Sequence, residues 1–335
     1  MKMSGFSIVG STALVLSLTI GSASAGKHKF INFDVQGAYG TFPIDINNNG
    51  DTAGHYWDRS QDSHGFIRMA DGAVTTFDVP GAAATDPGAL NESDEILGIF
   101  SNSTSVAHGF IRSPDSTITS FDPRDSTETY AIAINDKGEI TGGYYDKKNL
   151  AHGFLRQRNG NFVIFDPDGA LFTFGESIND KGVIAGAYCS NGTCDPYNAF
   201  VRSPDGVITT FSVSGAKMTI PTAVNSDGTI AGYFTTYDGR REGFLRDPGG
   251  QIIEFACVGI TGLNDKGWVV GYNTDLYGDH GCLRAPDGTI KAFDDPDGIN
   301  GYGTQPTSIN RTRYVTGYYG DSDLAYHGFI VLPHK

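Results

Sequence analysis

Asp45 and Glu176 stand on segments whose other copies carry small residues, and they are the side chains here best suited to acid–base work. A carboxylate pair held close could cleave a glycosidic bond, one member giving a proton while the other takes one or attacks. His55 and Tyr56 would add a second titratable ring and a phenol, which makes four candidate catalytic residues. Candidate binding residues are Asp86, Tyr130 and Gln305 at comparable levels, Trp57 beside Tyr56, and Arg240 and Arg241 in a loop of the fifth repeat described below. No Gly-x-Ser-x-Gly, Walker, Rossmann or His-Glu-x-x-His pattern is present, so the balance tips towards binding over catalysis. Asp45, Asn47 and Asn49 place oxygen side chains at alternate positions before Gly50, as at the start of a calcium loop. Tyr56 stands where such a loop needs its closing Glu. The expectation is therefore a turn with no cofactor, calcium near these three residues being the one metal alternative.

These residues sit on a repeat. His-Gly-Phe occurs at His64, His108, His152 and His327, with degenerate copies beginning at Asn198, Glu242 and His280. Each copy follows an Asn that opens a tight turn (Asn47, Asn91, Asn135, Asn179, Asn225, Asn264, Asn310) and a glycine seven residues later. Each also has a Phe, from Phe33 and Phe77 to Phe293, 38 to 46 residues apart. Such a fixed period marks a repeat architecture. In the third copy four short β signals are separated by turn chemistry: Ala131–Ile134, Glu139–Tyr145, His152–Arg156 and Phe162–Phe165. No window carries a 3.6-residue apolar period of helical length.

Four strands in about 44 residues, repeated seven times, predict an all-β fold: a seven-bladed β-propeller of four-stranded blades. The last copy stops after its third strand, and the missing outer strand is found at Lys29-Phe30-Ile31-Asn32-Phe33-Asp34. The N-terminal strand should thus complete the last blade and close the ring. The repeated His is expected to be structural, because histidines spread around a ring cannot form one site. The repeated Asn should bond local backbone at its turn. Variable loops should gather on the face opposite those turns, around the channel mouth, where a rigid scaffold displays binding residues. The pattern Ile-Asn-x-x-Gly-x-Ile-x-Gly-x-Tyr, then His-Gly-Phe-x-Arg, then Thr-x-Phe-Asp resembles the HAF-repeat family of extracellular bacterial proteins. That resemblance implies secretion and a repeat β architecture, and it implies no activity.

Composition bounds the partners. The chain has 335 residues, 45 of them glycine, and a net charge of −14, which argues against nucleic acid and anionic membrane surfaces. Residues 1–25 read as a signal peptide: Lys2, an apolar stretch from Ile8 to Ile20, and the small-residue site Ala23-Ser24-Ala25. That leaves one domain, 26–335, expected to be a monomer outside the cytoplasm, extracellular or periplasmic, with no membrane span. Export makes Cys189, Cys194, Cys257 and Cys282 a disulfide set, with the local pairing 189–194 favoured and 257–282 following from it. The functional expectation is a secreted interaction module for a carbohydrate or cell-envelope partner. The alternative is a polysaccharide lyase or glycoside hydrolase working at the channel mouth.

Overall fold

Alternating apolar residues punctuated by Asn-x-x-Gly and Asp-Gly turns make short antiparallel strands, and every element of the computed structural model, which describes residues 29–298 and 303–333, is a strand. The expected leader, 1–25, lies outside the described residues. The strands pair in antiparallel runs of four. The first run is Gly40–Ile46, Thr52–Trp57, Ser63–Arg68 and Val74–Phe77, and the same order recurs along the chain. Lys29–Phe33 pairs antiparallel with Tyr326–Leu332, in register from Lys29 opposite Leu332 to Phe33 opposite Gly328. It thereby supplies an outer strand to the run Thr304–Ile309, Val315–Gly320 and Tyr326–Leu332.

The first strand of each run starts earlier than its apolar pattern suggests. In the third unit it is Glu128–Ile134, not Ala131–Ile134. Asp86, expected just before a strand, lies inside Ala84–Leu90. These first halves alternate half-buried polar or bulky residues with buried small ones, as in Glu128, Thr129, Tyr130 and Ala131, so no apolar pattern marks them. Each such strand also bulges near its end, as between Pro43 and Asp45 or Gly175 and Ser177. The glycine seven residues after each Asn permits a close approach: a Cβ on Gly142 would lie 2.0 Å from the Tyr130 carbonyl oxygen.

The repeat residues join neighbouring units. The Phe of each His-Gly-Phe is fully buried in Phe66, Phe110, Phe154 and Phe329. The Arg two residues later stacks on the outer-strand Phe of the preceding unit, with Arg68 over Phe33, Arg112 over Phe77 and Arg156 over Phe121 at 4.8–4.9 Å. Phe33 belongs to the N-terminal strand yet packs on Phe66 of the first unit. It therefore contacts the first unit while its backbone pairs with the last. In the seventh unit Val331 stands where the Arg would be. A recess of about 350 Å³ lies there, lined by Trp268, Leu283, Phe293 and Val331.

Each His of His-Gly-Phe meets the Asp after the outer-strand Phe: His64 with Asp78, His108 with Asp122 and His152 with Asp166, all at 2.7–2.9 Å through Nδ1. In the seventh unit His327 meets Asp34 of the N-terminal segment at 2.9 Å. An aromatic residue of the second strand covers each ring, as Tyr56 does for His64 and Tyr319 for His327. Both predicted disulfides are present, Cys189–Cys194 and Cys257–Cys282.

Candidate functional site

The repeated Asn does more than its turn requires. Asn135 Oδ1 accepts from the N–H groups of Lys137 and Glu139, which is the local role expected of it. Its Nδ2 also donates to the Asn179 carbonyl of the next unit at 3.0 Å, and the same clasp links Asn179 to Asn225, Asn264 to Asn310, and Asn310 to Asn47. A second clasp runs beside it. The backbone N–H after the Asn donates to a side chain one unit on at five of the seven turns, from Asn48 to Glu92, Glu92 to Asp136, Asp136 to Asp180, Ser226 to Asp265 and Arg311 to Asn48.

Asp45 belongs to this turn face, which corrects its expected place on the opposite mouth. It is the penultimate residue of its strand, so it reaches the turns, and it helps line a recess of about 230 Å³ with Asn48, Glu92, Asn264, Asp265 and Arg311. Its carboxylate accepts from Ser308 Oγ at 2.6 Å and from the N–H groups of Leu90 and Ile46 at 2.9 Å. Burial pushes its pKa up, and these three bonds oppose that rise. Glu176 is also raised, to about 7, by burial alone, and neither carboxylate feels the other. Asp45 lies on a strand of the first unit and Glu176 on one of the fourth, and no hydrogen bond joins their carboxyl groups among the described residues. The oxygens offered for calcium are directed elsewhere. Asn47 Oδ1 accepts from Asn49 and Asp51 N–H, and Asn49 is exposed. Among the described residues no group of three His, Cys, Asp or Glu side chains could hold a metal ion.

The opposite mouth is built from non-repeating residues. Phe42, five residues before its Asn, packs on His55, Trp57, Tyr318 and Tyr326 with ring centroids 4.6–5.2 Å apart. His55 and Trp57 share a face because alternate strand residues do. By the same rule Tyr56 turns away onto His64, so it joins the repeat stacking and not the candidate site. Burial lowers the His55 pKa while the charge of Asp86 opposes that shift. Asp86 accepts from Ser63 Oγ at 2.5 Å. Gln305 accepts from the Tyr318 hydroxyl at 2.5 Å and donates to Asp279. Burial drives the Tyr318 phenol to about 12, helped by neighbouring phenols and by Asp279.

A second aromatic group faces the third and fourth units. Tyr130 packs on Tyr145 and Phe174, and Phe172 on Tyr145, with centroids 6.1–6.3 Å apart. The Tyr130 hydroxyl donates to Glu128 at 2.8 Å. Burial, and then that carboxylate, raise the phenol to about 12. Arg240 and Arg241 separate. Arg240 pairs with Glu242 at 3.0 Å and Glu254 at 3.5 Å, whereas Arg241 lies over the Tyr233 ring at 4.1 Å. Reading the sequence missed Phe42, Phe174, Tyr318 and Asp279. Aligning the fifth residue before each Asn would have found the first two, since that column reads Phe42, Asp86, Tyr130, Phe174, Ile220, Gly259 and Gln305.

No protein-family profile and no curated protein sequence matches the chain. Solved structures do match in fold. The β-propeller domain of the trilobed protease from Pyrococcus furiosus, described as having an open velcro topology, is 12% identical with a TM-score of 0.61, over 87% of this chain and 96% of that one. The BP39L lectin from Burkholderia pseudomallei is 9% identical with a TM-score of 0.55, over 90% and 98%. TolB from Acinetobacter baumannii is 12% identical with a TM-score of 0.53, over 72% of this chain, which spans only 62% of TolB. At these identities the likeness shows the fold alone: the chain is an all-β protein of the propeller type.

Proposed function

We propose that this protein is a secreted HAF-repeat propeller that binds a carbohydrate at its aromatic mouth. In this reading seven blades close into a ring through the N-terminal strand, the mature chain is a monomer, and it works in the periplasm or outside the cell. The observation that carries the functional part is the aromatic wall of half-buried His55, Trp57, Tyr318 and Tyr326 packed on buried Phe42, beside Asp86, Gln305 and Asp279. Flat rings receive the C–H faces of a sugar, and flanking carboxylates and amides take its hydroxyls. The Asn face carries no comparable group, because its polar atoms are spent on joining units. Support for the compartment comes from the two disulfides. A lectin among the structures of similar fold supports the ligand class.

One observation favours a second reading, a glycoside hydrolase or polysaccharide lyase. Glu176, raised to about 7, could hold or release a proton near neutrality. One experiment separates the two. The protein is incubated with neutral, acidic and cationic polysaccharides while retention and product masses are followed. Retention that Trp57→Ala abolishes, with no shortened products, supports the module. Shortened products that vanish in Glu176→Gln establish the enzyme. If no polysaccharide is retained or cut, a cell-envelope protein becomes the partner to seek.

A further inference from the structure

Six of the seven units place an arginine over the outer-strand Phe of the unit before, at 4.8–5.2 Å. Val331 takes that place in the seventh, and the recess of about 350 Å³ opens beside it against the sixth unit. Its wall is apolar, formed by Leu283, Phe293, Val315, Val331 and Leu332. A concavity of this size and lining is of the kind that holds small ligands.

Three residues that line it depart from the repeat. Trp268 is half-buried and stands four residues after its Asn, where no other unit has a Trp. Lys291 is exposed on the outer strand, at a position where the other units carry Ile, Thr or Val. Arg313 closes the seventh Asn turn, where five units have Gly and one has Asp94. It is held at φ +71°, a left-handed conformation that suits glycine and strains a longer side chain. Its guanidinium lies 5.0 Å from the centre of the Trp268 ring.

Asp287 also lines the recess and brings the opposite charge. Its carboxylate accepts from the Thr289 N–H at 2.9 Å and feels Arg284 of its own unit, so it is matched within its turn. The pocket thus pairs an apolar wall with two cations at its rim. An incoming arginine, the group the repeat itself puts at this position, would meet Lys291 and Arg313 as like charges. A carboxylate would meet them as partners.

We propose that the recess between the sixth and seventh units binds a compound with an apolar body and a carboxylate, the body against Phe293 and Val331 and the carboxylate facing Lys291 and Arg313. A free aliphatic acid and the C-terminal carboxylate of an apolar peptide share this chemistry. The site does not involve the aromatic mouth and stands whether or not a sugar binds there.

The test titrates the protein by calorimetry with octanoate, octanol and octylamine, which differ only in the head group. Octanoate should bind at least tenfold more tightly than octanol, and octylamine more weakly than either. Arg313→Gly restores the repeat's own residue at a φ that glycine favours, so the turn should keep its form. It should weaken octanoate about tenfold and leave octanol unchanged. Val331→Arg restores the repeat's arginine and should abolish binding of acid and alcohol together. Equal binding of octanoate and octanol, no binding of octanoate, or tighter binding of octylamine overturns the proposal. So does a preference for octanoate that survives in both Arg313→Gly and Lys291→Gln. A second arm compares acetyl-Gly-Ala-Leu with its C-terminal amide. Binding of the free-ended peptide alone supports the site with a protein C terminus as its ligand, and binding of octanoate with neither peptide supports it with a free acid.

Discussion

The Asn face and the aromatic face opposite it are made from the same strands and differ in how their polar groups are used. At the Asn face the amide of Asn135 bonds its own turn and reaches the next unit, as most of its repeats do, and half-buried Asp45 holds three partners. At the opposite face Phe42, Trp57 and Tyr318 pack ring on ring, and half-buried Glu176, farther along its strand, has no hydrogen bond or ion pair among the described residues. The repeated end is organised to hold units together. The unrepeated end keeps capacity for something outside the chain.

The contrast can be broken most severely at the clasp. Asn135→Ala removes four hydrogen bonds, among them the link to the Asn179 carbonyl of the next unit, which keeps only the Gly182 N–H of its own turn. We expect a loss of about 3 kcal/mol, seen as a lower urea midpoint with little change in slope. Glu176→Gln should act in the opposite direction. The folded carboxyl near 7 binds a proton that the unfolded chain has lost above its ordinary value near 4.5, so stability falls as pH rises between those values. The substitution should flatten that decline, recovering up to about 3 kcal/mol at pH 8. A wild-type melting temperature that does not fall between pH 4.5 and 7 would show that Glu176 is already paired.

Trp57→Ala should cost only about 1 kcal/mol, because the ring is half-buried, yet reduce carbohydrate retention more than tenfold. Comparable losses of stability and binding would make the mouth a packing region like the clasp. His327→Ala probes how the N-terminal strand is held to the last unit. Although burial lowers the His327 pKa, Asp34 and Asp321 outweigh it and the net shift is upward. The pair therefore stabilises below the ordinary histidine pKa, and that contribution is lost as pH rises through the raised value. An effect below about 1 kcal/mol is expected at such a half-exposed pair, read from amide exchange of the N-terminal strand. The smallest effect belongs to Asn49→Ala: within about 0.5 kcal/mol, with no calcium-dependent change in melting, since the residue is exposed and its neighbours' oxygens already accept N–H groups.

Local chemistry was legible from residue types. The period, the strand between Glu139 and Tyr145, the Asp-Gly turns, the N-terminal strand against Tyr326–Leu332 and both cysteine pairs follow from spacing, since turn residues and alternation act over a few positions. What lies opposite what was not legible in the same way. Asp45 and Glu176 looked alike in sequence, but a shift of one residue about the bulge sends Asp45 to three donors and Glu176 to none. Tyr56 and Trp57 are neighbours in the chain, and the pleat sends them to opposite faces.

The sequence by itself thus determined the repeat, its strands and the residues that link one unit to the next, because each is encoded in a pattern that recurs along the chain. Only the tertiary structure decided which unrepeated residues share the mouth. Phe42 meets Tyr318 and Tyr326 across more than 270 positions, and Gln305 reaches Asp279 from another unit. Such contacts depend on strand register and on how neighbouring sheets pack, and no local pattern records either.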